Sequence, residues 1–168
     1  MNIGQPERVT QNRVIALFRD ELGYRTLGDW TDRPINSNIE DTLLSAYLAK
    51  RGYSTTQISR TLDRLRTEAG NPNRSLYDNN KAVYSLLRYG VQVQAAAGEN
   101  TETVWLIDWN DPAQNDFAIA EEVTLHGNFE RRPDLVLYLN RSAIAVGELE
   151  NSRVSIGTCI RQNVSNQQ

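Results

Sequence analysis

Two apolar runs, Leu135–Leu139 and Ala143–Val146, are separated only by the polar triplet Asn140-Arg141-Ser142. Each run is of strand length and bounded by turn residues, so the spacing predicts a β-hairpin. Leu135–Leu139 is apolar at every position, which suits a strand covered on both sides, with Leu135, Val136, Leu137, Ile144 and Val146 expected in the interior. Pro133-Asp134 opens the first strand, and Glu148 and Glu150 close the second. Side chains alternate along a strand, so Glu148 and Glu150 share a face. Antiparallel pairing sets the start of one strand beside the end of the other. Asp134, Glu148 and Glu150 are therefore expected to converge.

Like charges held close raise one another's pKa or require a cation. An all-oxygen donor set with room for water suits Mg²⁺. A metal bound there can activate water and stabilise a phosphate in flight. The plainer account is that Asp134 ends a turn and the two glutamates are solvated strand-end charges.

Pro133-Asp134 followed by Glu148-Leu149-Glu150 resembles the PD-(D/E)xK nuclease motif. The run Arg131-Arg132-Pro133-Asp134-Leu135-Val136-Leu137-Tyr138-Leu139-Asn140 is similar to the nuclease domain of the R (HsdR) subunit of type I restriction enzymes. So are Asn115-Asp116-Phe117 and Asn71-Pro72-Asn73-Arg74-Ser75-Leu76-Tyr77-Asp78. The resemblance runs from about Val9 to the C-terminus. It implies a Mg²⁺-dependent endonuclease domain that binds DNA and hydrolyses its phosphodiester bonds. Asp134 and Glu148 are then metal ligands, and an acidic residue on an early helix, here Glu40, faces the metal. Arg60, Arg64, Arg131 and Arg132 are the expected DNA contacts. The resemblance also implies M and S subunits as partners, a cytoplasmic setting, and ATP used only by motor domains that follow the nuclease. The alternative is a catalytically disabled module with the nuclease fold that binds DNA or a partner subunit.

The chain departs from the motif at its third place, where the family carries Lys and this sequence has Glu150. Lysine there steadies the attacking water and the phosphate charge; glutamate can only take a proton or bind metal. Some restriction endonucleases of the superfamily carry Glu at this place, so Glu150 is compatible with a working site and equally with an inactivated one. Gln162 matches the Gln that many related nucleases place on the following helix to orient the motif. The Tyr expected four residues later is Asn166.

The remaining composition narrows the classes. A length of 168 residues suits one domain with a real core, expected to be a single nuclease-like domain over 1–168 and a fragment of a longer R subunit. No apolar run reaches the ~20 residues of a membrane span, and the first residues lack the apolar stretch of a signal peptide. A single cysteine, Cys159, rules out an internal disulfide. The one histidine, His126, rules out a His-cluster metal site. A net charge of −3 argues against broad nucleic-acid affinity, but local patches do the binding.

Along the chain, helices are expected over about 10–22, 39–51, 55–69 and 78–89. Asn36-Ser37-Asn38 offers a cap for the second, and Ser54 with Gln57 forms a capping box for the third. Arg60, Arg64 and Arg66 lie off the apolar stripe of that third helix, either as a DNA surface or as a solvated face among Asp63 and Glu68. Strands are expected at Val91–Gln94, Thr103–Asp108 and Phe117–Leu125, with a last helix from Ile156 to about Ser165. The helical N-terminal half before a strand-rich stretch is an α+β pattern. It is compatible with a restriction-endonuclease-like core, a mixed central β-sheet flanked by helices. No phosphate-binding G-x-x-x-x-G-K-[ST] loop occurs.

Overall fold

The computed structural model describes residues 5–96, 98–125 and 131–149. Among the described residues four α-helices are formed: α1 (Gln5–Ala16), α2 (Asp41–Lys50), α3 (Thr55–Ala69) and α4 (Leu76–Tyr89). Six strands accompany them: β1 (Arg25–Asp29), β2 (Val91–Gln94), β3 (Thr101–Val104), β4 (Phe117–Glu121), β5 (Leu135–Leu139) and β6 (Ser142–Gly147). They gather into two compact units, residues 1–39 with 116–168, and residues 40–115. The architecture is α+β with a mixed sheet, as expected.

The first unit is built on a sheet of order β1-β4-β5-β6. β1 runs parallel to β4, and β4, β5 and β6 form an antiparallel meander. Both faces of β4 and β5 are covered, which accounts for their uninterrupted apolar sequences. On one face Ala118, Ala120, Val136 and Tyr138 pack with Val123 and Trp30. On the other, Ile119 and Leu135 pack against Ile15 of α1, with Phe18 and Tyr24 alongside. The helix α1 continues through a π-helical turn at Leu17–Glu21.

The β5–β6 hairpin closes through Asn140 and Arg141, both with positive φ (48° and 74°), the left-handed pair that matches the twist of a two-residue turn. Ile144 and Val146 are exposed, 44% and 49%, against the expected burial. Among the described residues β6 pairs along its length only with β5, apart from an isolated bridge between Ser142 and Ile39, so these side chains lack the cover that β4 and β5 enjoy. A register shift between Leu137 and Tyr138 sets Ile144 out of the ladder.

The second unit has its own core, including Leu44, Leu48, Leu62, Leu65, Val91 and Val104. The predicted capping box starts α3: Ser54 Oγ accepts the Gln57 N–H at 3.3 Å, and the Ser54 N–H donates to Gln57 Oε1 at 2.8 Å. The residue preceding α2 is Glu40 rather than the Asn36–Asn38 segment, and it makes no side-chain cap. Ser75 caps α4, which begins at Leu76, two residues before the expected start at Asp78. Val83, Leu86 and Leu87 of α4 are only half-buried, so that helix lies nearer the surface than its periodicity suggests.

The strand expected at Thr103–Asp108 ends at Val104. Asp108 is the cause: one carboxylate oxygen accepts the backbone N–H groups of Asn110 (3.1 Å) and Asp111 (2.9 Å), folding the chain into a turn. The Asn115 amide completes it by donating to the Asp108 carbonyl at 2.9 Å and accepting the Asp108 N–H at 2.8 Å. Among the described residues no helix is long and apolar enough to cross a membrane.

Candidate active site at the end of the β5–β6 hairpin

The hairpin register decides which acids meet. Leu135 pairs with Gly147, the last rung of the β5–β6 ladder. One step further along each strand stand Asp134 and Glu148. The Leu149 N–H donates to Asp134 Oδ2 at 2.5 Å, so the Asp134 carboxylate is turned toward the end of β6 and anchored there. Asp134 and Glu148 are both half-buried, and Pro133 before them is buried.

The neighbouring chain is shaped to fit this end of the sheet. β4 stops at Glu121 because Glu122 enters the left-handed region at φ 49°. The Glu122 N–H still donates to the Asp134 carbonyl at 3.0 Å, and the Val123 N–H to the Pro133 carbonyl at 3.2 Å. Gln11, buried on α1 one turn before Ile15, reaches the same place. Its amide lies 3.3 Å from both Glu122 Oε1 and the Asp134 carbonyl, donating to each. Arg132 pairs with Glu122 Oε2 at 3.2 Å, and Arg8 with Glu121 at 3.0 Å. Glu121 and Glu122 are thus held by one arginine each.

Gln11 and Glu122 reach the Pro-Asp turn from other elements, and Arg132 immediately precedes it. Arg132 was expected as a DNA contact; the partnership of Gln11 with Glu122 had no sequence signal, since a glutamine on an amphipathic helix reads as solvated. Arg131 is half-buried and bridges Leu125 through its backbone, with N–H and C=O bonds of 3.0 and 2.7 Å. Arg60 and Arg64, on exposed α3 positions of the second unit, line a shallow recess with Gln92 and Gln94. Arg64 pairs with Glu68 at 2.8 Å, and Arg60 donates to the Gln94 carbonyl. Glu40 is 8% exposed at the head of α2 in that unit. Glu150, Gln162, His126 and the expected last helix lie outside the described residues.

Among the described residues no group of three or more His, Cys, Asp or Glu side chains is gathered as a metal cage. Asp134 and Glu148 are nevertheless a donor set that suits Mg²⁺, which takes one or two carboxylates and fills its octahedron with water and substrate oxygens. The Asp134 carboxylate is anchored at the strand end, and Glu148 stands one step beyond the last rung on the paired strand.

Asp116 occupies the far end of β4 and serves the fold. Its carboxylate pairs with Arg25 and Arg141, each at 2.9 Å. Its backbone N–H donates to the buried Asn140 side chain at 2.7 Å, and its carbonyl accepts the Asn140 N–H at 2.9 Å. Asp116 is therefore a structural lock at that end of the sheet.

A family model described as the type I restriction enzyme R protein N terminus matches residues 4–168. No curated protein matches the chain.

Proposed function

The chain belongs to the N-terminal family of type I restriction enzyme R proteins, and on that premise we propose that it is a Mg²⁺-dependent DNA endonuclease domain. The observation that supports this most is the pairing of Asp134 with the end of β6 through the Leu149 N–H, on the rung beyond which Glu148 stands. In this reading Asp134 and Glu148 hold the ion. When bound, a divalent ion makes a coordinated water more acidic and offsets charge on a phosphate oxygen. The chain's own residues do the positioning. Leu149 fixes one oxygen of Asp134, Gln11 steadies the Asp134 backbone and Glu122, and Arg132 at the rim supplies a cation for the strand being cut. Arg60, Arg64 and Arg131 are further proposed DNA contacts, and Glu40 and Gln162 proposed members of the site. The proposed setting is the cytoplasm, in a complex with M and S subunits and with ATP consumed by motor domains.

Glu150 favours a second reading, a nuclease fold without cleavage, because glutamate cannot supply the positive charge of the motif Lys. Calorimetry with Mg²⁺ or Mn²⁺ tests the site itself: heat of binding abolished by Asp134→Ala supports the first reading, and its absence in the native chain overturns it. Plasmid cleavage by the complete R protein then tests position 150. Glu150→Lys is expected to raise cutting by ~10²–10³, the scale of one preorganised charge contact. Loss of cutting on that change would instead make Glu150 a working member of the site.

A further inference from the structure

The second unit carries an aromatic and basic surface that the proposed chemistry does not use. Tyr77, Lys81, Tyr84 and Arg88 follow one another on α4 at steps of four, three and four residues. At 3.6 residues per turn these positions share one helix face, about 16 Å long at ~1.5 Å per residue. All four are exposed, Tyr77 at 73% and Tyr84 at 62%. Among the described residues no carboxylate pairs with Lys81 or Arg88.

The stripe leads into a recess. The Arg88 guanidinium lies 4.7 Å over the ring of Trp109. The Trp109 indole is pinned by its Nε1–H, which donates to the Leu87 carbonyl at 3.2 Å. Trp105 and Trp109 flank a hollow of about 220 Å³ shared with Arg51, Ile107, Asp108 and Asn110. Both indoles are more than two-fifths exposed. The Asp108 charge facing this hollow is offset by Arg51 at 3.0 Å.

Rings that alternate with cations not neutralised by a carboxylate suit a chain that itself alternates planar bases with phosphates. A protein partner fits less well, because the centres of protein interfaces are depleted of lysine and of charge in general. The hollow is smaller than the ~300–1,000 Å³ of drug-sized pockets and is walled by two indoles, which suits one flat ring. We propose that this α4 face and the indole recess bind single-stranded DNA, with bases stacked on Tyr77, Tyr84 and the tryptophans and phosphates on Lys81 and Arg88. The surface shares no residue with the Asp134 site and needs no metal.

Fluorescence anisotropy of a labelled oligothymidylate, titrated with the full chain in chelator, tests this. The expected result is saturable binding, with a duplex of equal length bound at least ten-fold more weakly, because its bases are already stacked. Tyr84→Ala and Trp109→Ala should each weaken binding roughly ten-fold, the scale of one base–ring stack. Lys81→Ala with Arg88→Ala should lower the slope of log affinity against log salt by about 0.7 per phosphate contact removed. Circular dichroism checks that each variant folds. No binding, equal binding of duplex, or binding indifferent to all these changes overturns the proposal. So does shielding of Tyr84 and Trp109 from solvent in the complete R protein, which would make the face a protein interface. With chelator present, the outcome is separable from that of the metal-binding experiment.

Discussion

Asn140 holds its backbone at φ 48° while its side chain, 1% exposed, accepts the Asp116 N–H. Asparagine is one of the few residues that tolerates that conformation, and here its amide also satisfies a buried donor. Asn140→Ala is expected to cost about 2–3 kcal/mol, from the left-handed backbone and the unsatisfied N–H together. Asn140→Gly should cost less, because it restores the backbone and loses only the bond; urea unfolding of the two variants measures the difference. Asp108 gives a pH-dependent counterpart. The Asp111 N–H, followed by Arg51, holds its carboxyl below the usual carboxylate range. A depressed folded-state pKa contributes stability that is complete above the ordinary value of about 3.9 and is lost as pH falls through the lower folded one. Asp108→Asn should therefore flatten the decline of melting temperature below about pH 4. Residues of this kind divide by how local their signal is. Pro133-Asp134 and Glu148 could be picked out from sequence because strand patterning sets their phase. Gln11 and Glu122 could not, because their meeting depends on how α1 lies over the sheet and on a left-handed residue no pattern announces.

Gly90 ends α4 at φ 75°, and a Cβ there would stand 2.5 Å from Thr103 Cγ2 and 3.1 Å from the Val104 carbonyl. Gly90→Ala is therefore expected to destabilise by roughly 1–3 kcal/mol, from strain and from prying the β2–β3 hairpin off the helix end. Ser54→Ala, which removes a cap from α3 without any clash, should cost only ~1 kcal/mol; thermal melts of the two variants rank them. Elements with short-range determinants were legible: α3 and β2 begin and end where periodicity, capping box and glycine place them. Strand ends set by side chains were not. β3 stops early because Asp108 and Asn115 pull the following residues into a turn, and β4 stops at Glu121 because the next residue reverses its φ. The exposure of Ile144 and Val146 escaped for a related reason, since an apolar strand sequence does not reveal which of its neighbours is missing.

On the scale of the molecule, residues 40–115 form one continuous stretch of chain with an interior of its own, set between β1 and β4. A polypeptide of residues 40–115 is expected to fold by itself, and dispersed amide resonances with a cooperative thermal transition would show it; a featureless spectrum would count against its autonomy. The sheet has no such freedom. β1 and β4 are parallel neighbours, and a parallel pair can be joined only by a crossover. Here the crossover contains a whole unit. The consequence is one of time. An unstructured loop of that length must lose entropy before the first β1–β4 bond forms, by about (3/2)RT ln n for n residues. Once helices α2 to α4 have collapsed through their short-range contacts, the loop is in effect much shorter, and the two strands search a smaller volume for one another. The order of events is thereby biased: the inserted unit first, the sheet that carries Asp134 and Glu148 last. During synthesis β4, β5 and β6 emerge after residues 40–115, so the strands that carry Asp134 and Glu148 would pair with β1 only after that unit had taken shape.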